Sequence, residues 1–259
     1  MDLGIAGKTA LVCASSRGLG RGCATALAEA GARVIVNGLD AERLERTADE
    51  LRKTTGAEIV AVAADVGTDK GRAALLDAAG NVDILVNNNA GPPAADFRTL
   101  THGNLIAGVE ANMVTPILLI QAVIDGMVER RWGRIVNMTS GTVKLPLPGL
   151  DLSSGARIGL TGFLAGVSRE VAHANVTINC LLPGAFDTDR IAALNAKLAA
   201  DRGTTPEEMR KARQRTIPAG RYGTPEEFGA ACAFLCSQQA GFITGQSLLM
   251  DGGAFPGVM

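Results

Sequence analysis

Thr9-Ala10-Leu11-Val12-Cys13-Ala14-Ser15-Ser16-Arg17-Gly18-Leu19-Gly20 runs directly into Arg21-Gly22-Cys23-Ala24-Thr25-Ala26-Leu27-Ala28-Glu29-Ala30. A short apolar run ends in a turn of serine and glycine, and apolar residues at helical spacing begin at Gly18. Thr9–Ala14 therefore predicts a buried strand and Gly18–Ala30 a helix. Gly18 and Gly20 let the backbone approach a pyrophosphate. The helix start beyond them offers free N–H groups and the positive end of its dipole. A glycine-rich turn alone says little. Between a first strand and a first helix, it stands where a phosphate cradle has to stand.

Outward from this turn the pattern repeats. Arg33–Asn37, Glu58–Ala64, Val82–Asn87, Arg134–Met138, Thr177–Leu182 and Ser247–Met250 read as further strands. Ala41–Lys53, Lys70–Ala79, a long segment from Leu100 to Arg130 with Pro116 to kink it, Gly155–His173 and Pro225–Cys236 read as helices. Alternating strands and helices with short connections predict an α/β fold, a doubly wound parallel sheet covered on both faces. No linker or repeat divides residues 1–259, so one domain is expected. Asp189–Arg215 is polar and helical with no strand of its own. The insertion, residues 187–216, follows the carboxyl end of the sixth strand, where such sheets bind ligands. It reads as a substrate lid, or as a surface hairpin that only packs.

Composition narrows the function. Apolar residues make up 47% and aromatic residues 3%, so aliphatic side chains and alanine must fill the core. Lys and Arg number 25 against 26 Asp and Glu, a balance that argues against a nucleic-acid or membrane-surface partner. The apolar runs read as too short to span a bilayer, and no basic-then-apolar leader opens the chain. Cys13, Cys23, Cys180, Cys232 and Cys236 are an odd, scattered set, as in a reduced, cytoplasmic protein. Cys232 and Cys236 are four apart on a helix, yet His102 and His173 are far away, so buried small residues are preferred to a metal site.

Landmarks beyond the first turn come in order along the whole chain. Asp65-Val66 ends the third strand. Asp83-Ile84-Leu85-Val86-Asn87-Asn88-Asn89-Ala90-Gly91 ends the fourth. Asn112 lies on the long helix. Gly133-Arg134-Ile135-Val136-Asn137-Met138-Thr139-Ser140 forms the fifth strand, and Pro183-Gly184 with Thr188 follows the sixth. Pro218-Ala219-Gly220-Arg221-Tyr222-Gly223-Thr224-Pro225-Glu226-Glu227 and Thr244-Gly245 through Asp251-Gly252-Gly253 close the set. Together they resemble the short-chain dehydrogenase/reductase family, in its 3-oxoacyl-(acyl carrier protein) reductase-like branch. The resemblance implies a Rossmann fold. It also implies that Ala14, Ser16, Arg17, Gly18, Leu19, Gly20, Asp65, Val66, Asn88, Pro183, Gly184 and Thr188 bind a nicotinamide dinucleotide. Two departures lie in these motifs: Cys13-Ala14 replaces the family's Thr-Gly, and the run after the fourth strand carries one Asn too many.

A third departure falls on the chemistry. The family works with Asn, Ser, Tyr and Lys, of which Asn112 and Ser140 match. Counting from Ser140, and held in register by Ser153-Ser154-Gly155-Ala156-Arg157-Ile158-Gly159-Leu160, the Tyr and Lys places hold Ser153 and Arg157. The YxxxK motif has become SxxxR. A Ser hydroxyl is a far weaker acid than a phenol of pKa about 10, and an arginine keeps its charge and passes no proton. Tyr222, the one tyrosine, belongs to another motif. Asp151 is a possible substitute acid but reads better as an exposed residue or helix cap. Ser140 also reads as a strand-end turn residue, and Asn112 as a kink residue beside Pro116. Neither serine has a histidine or paired base placed to make it a nucleophile.

At the end of the second strand, Gly38 occupies the place where an acid would bind the ribose hydroxyls of NAD, and Leu39 follows. Arg17 resembles the basic residue of relatives that prefer NADP, or is simply a solvated loop residue. The expectation is an NADP(H)-dependent oxidoreductase of a small carbonyl or alcohol substrate, with weak activity from the altered site. The alternative is a nucleotide-binding sensor or assembly protein with little turnover. The resemblance further implies a homotetramer, for which Gly155, Ala156, Gly159, Gly162 and Gly166 would let helices approach closely. The same residues could instead simply pack on the sheet.

Overall fold

Every strand of the sheet runs parallel to its neighbours. The computed structural model describes residues 2–258. β1 (Thr9–Val12) pairs with β2 (Arg33–Gly38) on one side and β4 (Ile84–Asn87) on the other. β3 (Ile59–Ala63), β5 (Gly133–Met138), β6 (Val176–Pro183) and β7 (Ser247–Met250) complete seven strands in the order β3-β2-β1-β4-β5-β6-β7. This is the doubly wound Rossmann arrangement. The strand order reverses between β1 and β4, and the crevice at their carboxyl ends is the expected ligand site.

Alternation along each strand sends neighbouring side chains to opposite faces. Ala10 and Val12 join α1 (Gly18–Glu29), α2 (Ala41–Thr55) and α9 (Pro225–Leu235) in one apolar core. Leu11 and Cys13 join α3 (Asp69–Ala79), α5 (Thr115–Glu129) and α6 (Asp151–Val171) in the other. α1 and α9 meet through glycine. A Cβ on Gly22 would stand 2.2 Å from the Pro225 carbonyl oxygen, and one on Gly229 2.2 Å from that of Gly22. All five cysteines are free and buried. Cys23, Cys232 and Cys236 sit in this seam, where they pack as small apolar groups.

Three expectations need correction. The long helix is two: α4 (His102–Val109) and α5 are joined by a π-helical turn, Glu110–Val114. The Thr115 amide donates to the Glu110 carbonyl, five residues back. Pro116, which has no N–H, therefore falls in the first turn of α5 instead of kinking a helix interior. Together His102–Glu129 forms 28 helical residues that include an 18-residue stretch of mean hydropathy 1.5, long and apolar enough to cross a membrane by length and composition, contrary to the expectation. In the fold, Leu119, Ile120, Val123 and Met127 bury that apolar face against the sheet. Finally, α6 begins at Asp151, four residues before Gly155, entered through Gly149 at φ +79°. Gly155 is thus inside the helix, and Ser153 lies in its first turn.

The polar insertion is a helical hairpin, α7 (Asp189–Arg202) and α8 (Pro206–Gln214), turned at Gly203 with φ +64°. Thr205 and Glu208 form a capping box at the start of α8. Its base is anchored by Phe186, whose ring meets Phe228 edge-on at 5.2 Å, and by a two-pronged Asp187–Arg210 ion pair.

Candidate functional site

The turn after β1 is pinned from below. Ser15 Oγ donates to the Val12 carbonyl, and the amides of Ala14 and Ser15 donate to the side chain and carbonyl of Asn37. Asn37 Nδ2 in turn donates to the carbonyls of Val62 and Ala64, so one buried side chain ties the loop to the end of β3. Ala14, in the place of the family's glycine, has φ +46°, a left-handed conformation that is costly for a residue with a Cβ. A Cβ on Gly20 would stand 2.3 Å from the Ala14 carbonyl oxygen, so only glycine fits there. Asn88 Nδ2 donates to that same oxygen. Gly18 has φ +57°, and Leu19 packs on the core beside the helix start. The result is a narrow backbone cradle at a helix N-terminus that suits a phosphate-bearing ligand.

Around the cradle, the residues singled out in the sequence fall into two groups. Thr188 stands at the N-cap position of α7, and its Cγ2 lies 3.7 Å from where a Gly18 Cβ would be, so the insertion begins directly over the glycine-rich turn. Pro183 ends β6, and Gly184 follows it with its amide donating to the Met250 carbonyl. Ser16 meets Gly38: a Cβ on Gly38 would stand 3.0 Å from Ser16 Cβ and Oγ. Asp65 is exposed just past β3 and shapes the turn into α3, accepting from the Gly67 amide, while Val66 is buried. Arg17 points toward the insertion, forming an exposed ion pair with Asp189 at 3.5 Å.

The second group meets at the end of β5. Arg157 is buried. Its Nη1 donates to the carbonyls of Met138 and Thr139 at 2.7 and 2.8 Å, the two residues before Ser140. Its Nε donates to Ser153 Oγ at 3.2 Å. Burial, and then the neighbouring charge of Arg190, bring the guanidinium down to about 10, still cationic at neutral pH. Ser140 Oγ accepts from the amide and the hydroxyl of Thr142, so it caps the turn that follows β5. Asn112 is buried in the π turn. Its Nδ2 donates to Gly108, and its Oδ1 has no partner among the described residues. With Asn87, Asn137 and Arg157 it lines a void of about 10 Å³. The additional Asn of the fourth landmark, Asn89, donates to the Ala111 carbonyl and so braces the π turn next to Asn112.

The other candidate acids are committed elsewhere. Tyr222 is buried, and its hydroxyl pairs with Asn195 of α7. Asp151 accepts from the Gly149 amide at the entry to α6. Sequence reading missed Arg190, on the first turn of α7. A Cβ on Gly91 would lie 3.3 and 3.4 Å from its two terminal nitrogens and 3.7 Å from Ser153 Oγ. The only sequence signal was a basic residue two places after the Thr188 landmark.

A family profile described as enoyl-(acyl carrier protein) reductase matches residues 13–254. The chain is 32% identical to the 3-oxoacyl-(acyl-carrier-protein) reductase FabG of Aquifex aeolicus (strain VF5), over 98% of this chain and 100% of that one. Among solved structures it resembles L-sorbose reductase from Gluconobacter frateurii, complexed with NADPH and L-sorbose, at TM-score 0.94 and 27% identity over the whole of both chains. It also resembles a 3-oxoacyl (acyl-carrier-protein) reductase from Agrobacterium tumefaciens C58 with NADP bound, at TM-score 0.86 and 30% identity over 97% of this chain and 95% of that one. With the cradle, the strand order and the ordered landmarks all in place, the chain belongs to the short-chain dehydrogenase/reductase family.

Proposed function

We propose that this chain is an NADP(H)-dependent oxidoreductase of a small carbonyl/alcohol pair, in the manner of 3-oxoacyl reductases, with an unusual proton-donating site. The observation that carries the reading is the Ser153–Arg157 hydrogen bond at 3.2 Å, with Arg157 locked onto the backbone beside Ser140. When bound, the dinucleotide supplies the hydride that the carbonyl carbon receives.

The chain's own residues do the rest. The cradle from Ala14 to Gly20, braced by Asn88 through the Ala14 carbonyl, would hold the pyrophosphate, Asp65 and Val66 would border the adenine, and Pro183, Gly184 and Thr188 the nicotinamide end. Ser140 Oγ already accepts two hydrogen bonds and Ser153 Oγ one. Their own hydrogens are therefore left to donate to the carbonyl oxygen as its negative charge develops. Arg157 polarises Ser153 and keeps its proton; the proton that completes the alcohol enters from water, which Asn112 helps to position. Lacking a tuned general acid, the site gives up about 10²–10⁴-fold on ordinary ketones. The hairpin 187–216 acts as the substrate lid.

Cofactor choice follows from charge. A carboxylate at position 38 would crowd Ser16, and Leu39 beside it is exposed. The Arg17–Asp189 pair is exposed and weak, so a 2′-phosphate competes for the guanidinium. Nicotinamide fluorescence titration is expected to show NADPH bound more tightly than NADH, with Arg17→Ala reducing the gap about tenfold. Equal or inverted affinities in the wild type would overturn the cofactor assignment. The same reading includes a cytoplasmic homotetramer, supported by the free buried thiols and by the outward face of α6.

A further inference from the structure

The acids around Arg190 are turned away from it. Asp187 is held by Arg210 through both oxygens, at 2.8 and 2.6 Å, and Asp189 faces Arg17. Among the described residues Arg190 makes no ion pair and donates no hydrogen bond, although it stands over the site. Across from it, Arg157 spends Nε on Ser153 and Nη1 on two carbonyls, which leaves Nη2 without a protein partner. Ser153 and the Arg190 guanidinium both border the same point above Gly91, at 3.7 Å and 3.3–3.4 Å. Serine at 153 is short, and a longer side chain there would reach toward the Arg190 guanidinium. Two guanidiniums thus flank one hydroxyl, and no carboxylate among the described residues pairs with either.

We infer that Arg190 is a specificity-determining residue that binds a carboxylate on the substrate, so that the carbonyl compound is a small oxo acid and not a neutral ketone. A planar guanidinium takes a carboxylate in two parallel hydrogen bonds and fixes its orientation as well as its charge. The anion also relieves the mutual repulsion of Arg157 and Arg190. Placed this way, the carboxylate is gripped by the lid while the carbonyl oxygen lies against Ser153 and Ser140. The inference rests on the proposed oxidoreductase reading for the identity of the reacting group, but not for the grip on the anion.

Isothermal titration calorimetry separates the two. The probes are 2-oxobutanoate, 3-oxobutanoate and 4-oxopentanoate, each against its methyl ester, titrated into the full chain with and without NADPH. At least one acid is expected to bind at least tenfold more tightly than its ester. Arg190→Ala should bring that ratio down by about 10–100-fold, the range of a charge-assisted pair. Arg190→Lys should fall between, and Arg202→Ala, at the far end of α7, should leave the ratio as it is. Esters binding as well as acids, or a ratio that ignores Arg190→Ala in a variant with wild-type melting temperature, would overturn the inference. Acid preference that depends on Arg190 without any NADPH turnover would uphold the carboxylate grip and remove the oxidoreductase reading.

Discussion

Position 157 shows what a single substitution can and cannot change. A buried arginine fills its place by giving hydrogen bonds to Met138, Thr139 and Ser153, so the fold around it holds together without an acid and base pair. What it cannot do is move a proton at neutral pH, because its guanidinium titrates only near 10. Restoring a phenol alone, by Ser153→Tyr, is therefore expected to raise carbonyl reduction little: Arg157 passes no proton, and the ring reaches toward Arg190. Ser153→Tyr with Arg157→Lys should raise kcat/KM by more than the product of the two single effects, since residues acting as a unit do not add. Steady-state rates for the four proteins close this cycle, and multiplicative effects would show that the two positions act independently. Ser153 and Arg157 were legible in the sequence because the flanking Gly155, Gly159 and Leu160 fix the register. Arg190 was not. Its role depends on the hairpin folding back over Gly91 and on Asp187 and Asp189 finding other partners, and none of those contacts is local in sequence.

At the scale of elements, short apolar runs located the described strands and helical spacing most helix cores, because strands of a parallel sheet buried on both faces read as continuous apolar stretches. It failed where backbone hydrogen bonding departs from one regular pattern. The π turn at Glu110–Val114 leaves the apolar spacing on either side unbroken, so α4 and α5 look like one helix. α6 begins early because Leu150 and Asp151 accept a helical start that the glycine at 155 seemed to place later. The α1–α9 seam makes a sharper demand. Gly229→Ala puts a methyl group 2.2 Å from the Gly22 carbonyl oxygen, which forces the helices apart. The expected cost is about 1–3 kcal/mol, from overpacking. Urea unfolding checks it, and a midpoint equal to wild type would mean that the helices slide at no cost.

For the whole molecule, the small residues of α6 divide between two roles that the sequence left open. Ala156 is buried and Gly159 meets Met113, so these two pack inward. Gly155, Gly162 and Gly166 face open space, next to the exposed side chains of Ile158 and Phe163. That outward stripe is where a second copy would approach. Light scattering is expected to give about four times the 26.7 kDa chain mass, and a stable monomer would count against the assembly.

In the proposed reading this site still transfers hydride to a carbonyl, slowly, with hydroxyls and a fixed cation in place of a phenol. The most direct measurement uses NADPH deuterated at the transferred position on C4 of the nicotinamide. It is incubated at high protein concentration with a panel of ketones and oxo acids, and the products are read by mass spectrometry. Deuterium is expected on the carbinol carbon of at least one product, with the yield cut at least tenfold by Arg157→Met. Tight NADPH binding with no label in any product would contradict that reading and would leave a nucleotide-binding protein without turnover.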